Sequence, residues 1–205
     1  ESASSRGQGT SHSSACRILE LAAQDARVHG VFMNLGGLAC GYAKLQELAR
    51  MVRLCRDAGK DVVAYMSSGS NQDVYLGVHA SSFYAPPEAS ILLNGFAADA
   101  TFLAGVLQRL GVEPQVQRLG AYKSAGDQLS RTNMSEAQRE VTVGLLRQVS
   151  SHWLARVAAE ANTTEAALAA LLDSDDSRAA ALADAGILTG VAYLDEVEER
   201  LARSA

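Results

Sequence analysis

The chain has 205 residues, of which 48% are hydrophobic and 20% are charged, so it is long enough to bury one sizeable core. Its formal net charge of -5 and pI near 5.4 give no electrostatic reason to expect a nucleic-acid partner. The sequence also lacks an uninterrupted apolar run long enough to form a membrane-spanning helix.

The cysteines and histidines follow no metal-binding or disulfide pattern. There are three cysteines, an odd number without CxxC spacing, and four scattered histidines without an HxxxH pair. The sequence therefore predicts no metal and no cofactor, and it predicts that the cysteines are small buried side chains. These residues are Cys16, Cys40, Cys55, His12, His29, His79 and His152.

The first fifteen residues form a polar tract rich in serine and glycine, which cannot bury enough surface to become ordered. We therefore predict a disordered linker over residues 1–15 and a single domain over residues 16–205.

From Ala15 onward, helical stretches alternate with short apolar runs, a pattern typical of a mostly parallel sheet with crossover helices. Gly36, Gly37 and Gly41 separate the first strand from the next helix, and Gly59 ends that helix. The predicted strands are 30–35, 61–66, 83–85, 90–93 and 114–119, and the predicted helices are 42–58, 74–80 and 100–110.

The last third of the sequence is predicted to be mainly helical. Ser135 and Gln138 match a capping box at the start of a long helix over 136–161, in which Trp153 is expected to be a packing anchor. Shorter helices are predicted over 166–172 and 178–185, followed by a strand over 187–194 and a terminal helix. The predicted fold class is α/β.

Lys123 has the most distinctive sequence context in the chain. It lies between small residues after the predicted strand 114–119, and it is one of only three lysines among eighteen basic residues. A lysine amine can lose its proton when it is desolvated, whereas a guanidinium cannot. Lys123 is therefore a candidate general base, and a solvated loop lysine is the alternative.

Several segments resemble the signal peptide peptidase A, or protease IV, family, and in particular its plant-plastid branch. They include Arg-Leu-Gly-Ala-Tyr-Lys-Ser-Ala-Gly-Asp at 118–127, Tyr-Ala-Pro-Pro at 84–87, Leu-Asn-Gly-Phe at 93–96 and Leu-Gly-Val-Glu-Pro-Gln-Val-Gln at 110–117. The resemblance implies a ClpP/crotonase-like fold with repeated β-β-α units and a helical C-terminal part. It also implies that the chain is the N-terminal, lysine-bearing half of a tandem protein.

In this family a serine hydroxyl attacks a peptide carbonyl and a lysine amine accepts its proton. Lys123 matches the family's lysine, so the resemblance implies that it is the catalytic base. For that role the amine must be neutral, which requires its removal from water.

The nucleophile is missing from its expected position, because Gln72 occupies the place of the family's serine. We therefore expect an incomplete active site, to which the C-terminal half or another subunit contributes the serine. Ser68 and Ser70 are local alternatives, but Ser/Gly turns normally shape the backbone. Ser124 is also available, but adjacent side chains in an extended segment point to opposite faces.

Gly36 and Gly37 follow the first strand, where this superfamily often places the backbone N–H groups of an oxyanion hole. They are candidates for that role. A strand-to-helix turn that requires glycine is the alternative explanation.

Three functions follow from the resemblance. The first is a segment of a Ser-Lys endopeptidase that degrades cleaved signal peptides or membrane-protein fragments in a homo-oligomer. The second is a noncatalytic scaffold domain of the same protease. The third is a crotonase-type acyl-CoA enzyme, which is opposed by the lack of the paired glutamates of such hydratases.

The branch resemblance also implies a location and partners. We expect a chloroplast protein attached to the thylakoid membrane through other parts of the protein, with a bacterial membrane-associated protein as the alternative. The expected partners are peptide substrates, the serine-bearing half and further subunits, and no nucleic acid.

Overall fold

The computed structural model describes residues 10–161, 163–174 and 176–204. They form two compact units. One unit contains the residues before Gly95 together with those from Leu154 onward, and the other contains Gly95–Trp153. Residues 1–9 of the predicted linker lie outside the described residues, and the single domain predicted over 16–205 stays a prediction.

Strands and helices alternate through the first part of the chain, as the apolar runs predicted. These elements are α1 (His12–Gln24), β1 (Gly30–Leu35), α2 (Tyr42–Asp57), β2 (Asp61–Met66), β3 (Ser68–Ser70), α3 (Asn71–Gly77), β4 (Ser82–Ala85) and β5 (Ser90–Leu92). The helix predicted over 74–80 therefore begins three residues earlier than expected.

The first helix begins at His12, inside the segment predicted to be a linker. The Ser11 side chain caps it by accepting a hydrogen bond from the Ser14 N–H at 3.2 Å. Leu19 is buried on this helix, and its carbonyl accepts a hydrogen bond from the Cys55 thiol of α2 at 3.1 Å. The polar tract therefore ends before residue 15, because a cap and one buried side chain fix this helix.

The first unit is built on a parallel sheet with the strand order β1-β2-β4-β6, in which β6 is Gly190–Val191. In β2 every residue after Asp61 is buried, which explains its continuous apolar run. Gly30 pairs with Asp61 and Leu35 with Met66, so β1 and β2 match along their whole length. The other side of β1 is an edge of this sheet.

A second, two-stranded parallel sheet pairs β3 with β5, with Ser68 opposite Ser90 and Ser70 opposite Leu92. In the sequence, β2 of the main sheet is followed by β3 of the second sheet, and β4 of the main sheet is followed by β5 of the second sheet. The orders β2-β3-α3 and β4-β5-α4, in which α4 is Ala104–Arg109, are two β-β-α units, which confirms the predicted α/β fold with repeated β-β-α units.

The second unit contains α4 (Ala104–Arg109), α5 (Asp127–Ser130) and most of α6 (Glu136–Glu160). The strand predicted over 114–119 is wrong, since residues 95–153 are described throughout and contain no strand. The physical reason is the lack of a pairing partner. Val116 and Leu119 are exposed, Leu119 to 88%.

The C-terminal part contains α7 (Glu165–Ser174), α8 (Ala179–Asp184), β6 and α9 (Leu194–Ser204). The strand predicted over 187–194 shortens to the two residues of β6. Ile187 and Leu188 are buried, but their N–H groups donate to the Leu182 carbonyl at 2.9 and 3.2 Å and so extend the end of α8. Within the described ranges, no helix has the length and apolar character needed to cross a bilayer.

Candidate active site

The turn after β1 carries the two candidate oxyanion glycines. Gly37 has φ +70°, a left-handed conformation that favours glycine, and no atom lies within 4 Å of the place where a β-carbon would be. A β-carbon on Gly36 would lie 3.6 Å from the Ser68 carbonyl oxygen. The turn explains why glycine is needed here, and it also leaves the backbone of Gly37 open on one side.

Asp73 connects this turn to the beginning of α3. Its carboxylate is fully buried and accepts hydrogen bonds from the Leu38 N–H at 3.2 Å, the Ser70 N–H at 2.9 Å and the Ser70 hydroxyl at 3.1 Å. Ser70 in turn caps α3 by accepting from the Gln72 N–H at 3.3 Å. The Ser70 hydroxyl is thus engaged in shaping the helix start.

Gln72 lies in the first turn of α3, at the position where the resemblance expects a serine nucleophile. Its side-chain amide donates a hydrogen bond to the Cys40 carbonyl oxygen at 2.8 Å. This bond joins α3 to the loop between β1 and α2, on the same side as the Asp73 contacts. An amide in this position holds the loop but offers no hydroxyl for attack on a carbonyl.

A groove of about 780 Å³ lies in the first unit beside the glycine turn. Its walls come from β1, α1, α2 and the loop between β1 and α2, and apolar side chains such as Ile18, Phe32 and Leu48 contribute much of the surface. Among the residues that the structure describes, β1 pairs with β2 alone, so the groove runs along an edge strand of the sheet. Such an arrangement suits an extended peptide.

Lys123 lies in the second unit, in an exposed turn that ends where α5 begins. Its N–H donates to the Gly120 carbonyl at 3.4 Å. The same turn is fixed by Arg118, which donates to the buried Asp127 carboxylate at 2.9 Å, and the Asp127 N–H donates to the Ser124 carbonyl at 2.9 Å. The loop is therefore anchored at its base, while the Lys123 side chain faces solvent.

The structure brings some of the predicted site residues together. The glycine pair, Ser68, Ser70 and Gln72 lie within the first unit, where Asp73 and Gln72 connect the segments that carry them. Lys123 and Ser124 belong to the second unit. The catalytic role of Lys123 and the oxyanion role of Gly36 and Gly37 stay predictions.

The sequence analysis did not predict two clusters of titratable side chains. His12, Cys16 and Glu47 converge between α1 and α2, and Glu160 meets Arg53, Arg56 and His79. His12 and Cys16 are four residues apart, which places both on one face of a helix. This spacing could have predicted that the two side chains of the first cluster lie close together. The second depends on contacts between residues 81 to 107 positions apart in sequence and had no local signal.

Comparison with solved structures defines the class of the fold. A lysine-to-alanine mutant of the 1510-N membrane-bound stomatin-specific protease, in complex with a substrate peptide, superposes with a TM-score of 0.53 at 10% identity, over 91% of this chain and 71% of that one. A serine-to-alanine mutant of the same protease gives a TM-score of 0.54 at 11% identity, over 91% and 75%. The chain thus has the ClpP/crotonase-like α/β fold.

The family model of Peptidase family S49 matches residues 55–202, which is more than half of the chain. The chain therefore belongs to peptidase family S49, the family that includes signal peptide peptidase A and protease IV.

Curated relatives place the chain near the plant branch of that family. It is 37% identical over 176 residues to "Serine protease SPPA, chloroplastic" of Arabidopsis thaliana, which covers 86% of this chain and 26% of the relative. It is 28% identical over 139 residues to "Protease 4" of Salmonella typhi, which covers 67% of this chain and 22% of the relative. The chain thus spans about a quarter of the length of these relatives.

Proposed function

We propose that this chain supplies the general base, Lys123, to a Ser-Lys endopeptidase whose serine comes from a segment outside this chain. The observation that carries the proposal is the pairing of two features in one S49 chain. Lys123 lies in a segment that resembles the family's lysine segment, while Gln72, fixed by its bond to Cys40, stands where the resemblance expects serine.

The exposure of Lys123 supports a composite site. A lysine acts as a general base only after its amine is withdrawn from water. Lys123 faces solvent at the tip of a loop whose base is anchored by Arg118 and Asp127. A second polypeptide segment that covers this loop would desolvate the amine and bring a serine to it.

The groove beside β1 is the proposed binding surface for part of the substrate. An extended peptide that adds to the free edge of β1 gains backbone hydrogen bonds without regard to its sequence, which suits the degradation of varied peptides. Gly36 and Gly37 lie at the end of this edge, and their backbone is proposed to contribute to oxyanion binding.

The decisive experiment measures hydrolysis of a fluorogenic signal-peptide substrate by the full-length polypeptide. We expect Lys123→Ala to lower kcat/KM by at least about a thousandfold, because a nucleophile without its base is weak. Lys123→Arg keeps the positive charge but cannot accept a proton near neutral pH, so it should be equally inactive.

Arg109→Ala is the matched control, because it removes an exposed cation from the same unit. It should retain wild-type activity. Wild-type activity in Lys123→Arg would show that residue 123 is not a base. It would favour the second candidate function, a noncatalytic scaffold domain.

That second candidate is a noncatalytic scaffold domain of the same protease, and the presence of Gln72 in place of serine favours it. In that case Lys123→Ala would leave hydrolysis unchanged, whereas disruption of the domain would lower the activity of the assembled protein.

The expected substrates are cleaved signal peptides and fragments of membrane proteins, and the expected state is a homo-oligomer. Since the relatives include a chloroplastic protease and bacterial proteases, we propose a chloroplast location at the thylakoid membrane, with a bacterial membrane as the alternative. Attachment would occur through parts of the protein other than this chain.

A further inference from the structure

We propose that His12, Cys16 and Glu47 form a Zn²⁺ site that joins α1 to α2 at one end of the groove. This proposal runs against the expectation of no metal drawn from the sequence. It is independent of the proposed protease activity, and its three residues precede the range matched by the family model.

The distances between the three candidate ligand atoms carry the proposal. His12 Nε2 lies 3.4 Å from Glu47 Oε2 and 3.7 Å from Cys16 Sγ, and all three atoms lie within 4.8 Å of one another. In a tetrahedral zinc site, ligand atoms at ordinary zinc distances are separated by roughly 3.3 to 3.6 Å. The observed spacing therefore admits a shared ion with little movement of the backbone.

The chemical identity of the ligands favours zinc over harder cations. One imidazole, one thiol and one carboxylate combine soft and borderline donors, whereas Mg²⁺ and Ca²⁺ require oxygen ligands. Three protein ligands leave a fourth position for water or another oxygen, and the Lys44 carbonyl oxygen already lies 3.1 Å from His12 Nε2.

The positions of these residues allow the ion to bind without unfolding either helix. His12 and Cys16 are four residues apart in α1 and share one face, and Glu47 lies in α2, which packs against α1. The Glu47 side chain is half-exposed and that of His12 is partly buried. An ion could therefore enter from solvent and still have its ligands held by packed helices.

A zinc ion bound at this site would link α1 to α2 and so to the rest of the first unit. The bond from His12 to the Lys44 carbonyl already joins the start of α1 to α2. Because His12 also lines the groove beside β1, a bound ion would fix that wall. Zinc should therefore stabilise the protein and order α1.

The test uses the whole 205-residue chain, prepared metal-free and without a polyhistidine tag, and titrated with Zn²⁺ and with Co²⁺. We expect one equivalent of either metal to bind. Cobalt bound to a thiolate gives a near-ultraviolet charge-transfer absorption, which reports coordination by cysteine directly.

The variants separate this site from other cysteines and histidines. Cys16→Ser should abolish the cobalt–thiolate absorption, whereas Cys40→Ser should retain it. Glu47→Gln and His12→Gln should weaken zinc binding by at least about tenfold, since loss of even an outer partner of a ligand commonly costs that much. His29→Gln should bind zinc as wild type does.

Thermal unfolding shows whether each variant is folded. Without metal, Cys16→Ser and wild type should have similar thermal unfolding midpoints. Zinc should raise the thermal unfolding midpoint of wild type but not that of Cys16→Ser. A cobalt–thiolate absorption that survives in folded Cys16→Ser, or zinc binding that is equal in the two proteins, would overturn the proposal.

Discussion

Asp73 is a fully buried carboxylate that accepts hydrogen bonds from two separate segments of the chain. It caps α3 through Ser70 and also receives the Leu38 N–H that follows the glycine turn. Its removal would leave these donors without this acceptor in a partly buried setting. The cost of such a loss combines a helix cap with hydrogen bonds to a charged group.

We therefore expect Asp73→Ala to lower the free energy of unfolding by about 2–4 kcal/mol. Urea unfolding of the purified chain measures it. Asp57→Ala, which removes an exposed carboxylate at the end of α2, should change stability by less than about 0.5 kcal/mol. Equal stabilities for the two variants would mean that Asp73 does not hold the turn.

Single residues also mark the limit of what the sequence could predict about the site. The context of Lys123 identified the family, and the resemblance predicted that Gln72 stands in the place of the family's serine. The exposure of Lys123 could not be foreseen, because burial depends on what else packs against the loop. The bond from Gln72 to Cys40 joins residues 32 apart and had no local signature.

Between elements, Glu160 at the end of α6 joins this helix to α2. Its carboxylate accepts from Arg53 and Arg56 of α2, each at 3.3 Å, and lies 3.9 Å from His79 Nε2. His79 Nδ1 donates to the Tyr75 carbonyl at 2.7 Å. Burial is the main cause that lowers the pKa of His79, so the ring is neutral near pH 7 and the two arginines are the charged partners of Glu160.

This arrangement predicts a pH-dependent stability. The folded protein binds a proton on His79 only below the ordinary histidine pKa of 6.5, whereas the unfolded chain binds it near that value. The contribution of His79 is therefore complete above pH 6.5 and is lost as the pH falls below it. Urea midpoints between pH 5 and pH 8 should show wild type losing more stability at the acidic end than His79→Gln.

His29→Gln is the control for this measurement, because His29 is exposed. It should keep the wild-type dependence on pH. Burial opposes ionisation of Glu160, but the hydrogen bonds from Arg53 and Arg56 and the charge of Arg56 keep its pKa below the usual glutamate value. Identical pH profiles for wild type and His79→Gln would contradict the assignment.

Helices and strands could be predicted where their burial requires a recognisable pattern of apolar residues in the sequence. The bounds of β1 and β2 agree with the predicted runs, because each contains an apolar core, Val31–Met33 in β1 and Val62–Met66 in β2. β3 was missed, since Ser-Gly-Ser has no strand periodicity and is extended only because β5 pairs with it. The segment 114–119 shows the opposite error, a strand-like sequence without a partner.

At the scale of the whole molecule, exposed apolar side chains are concentrated in the second unit. Large exposed patches of this kind commonly mark protein interfaces. The exposed residues between 95 and 153 include Leu103, Val106, Leu110, Val112, Val116, Leu119, Tyr122, Leu129, Val141, Val143 and Leu145.

We therefore expect the proposed homo-oligomer to form through this unit. The double variant Leu110→Glu with Leu119→Glu, at side chains exposed to 71% and 88%, should lower the sedimentation coefficient of the chain. Leu21→Glu, at a 48% exposed position in α1, should leave it unchanged. A wild-type chain that sediments as a monomer would contradict this expectation.

The main sheet takes its last strand from the far end of the chain. Thr189, next to β6, contacts Phe83 of β4 across 106 residues. During synthesis, β4 therefore leaves the ribosome about a hundred residues before the strand β6 that pairs with one of its edges. Parallel pairing over such a distance is slow, and an open strand edge in the meantime invites aggregation. We expect this unit to complete its folding only after β6 has been synthesised, and to benefit from chaperones.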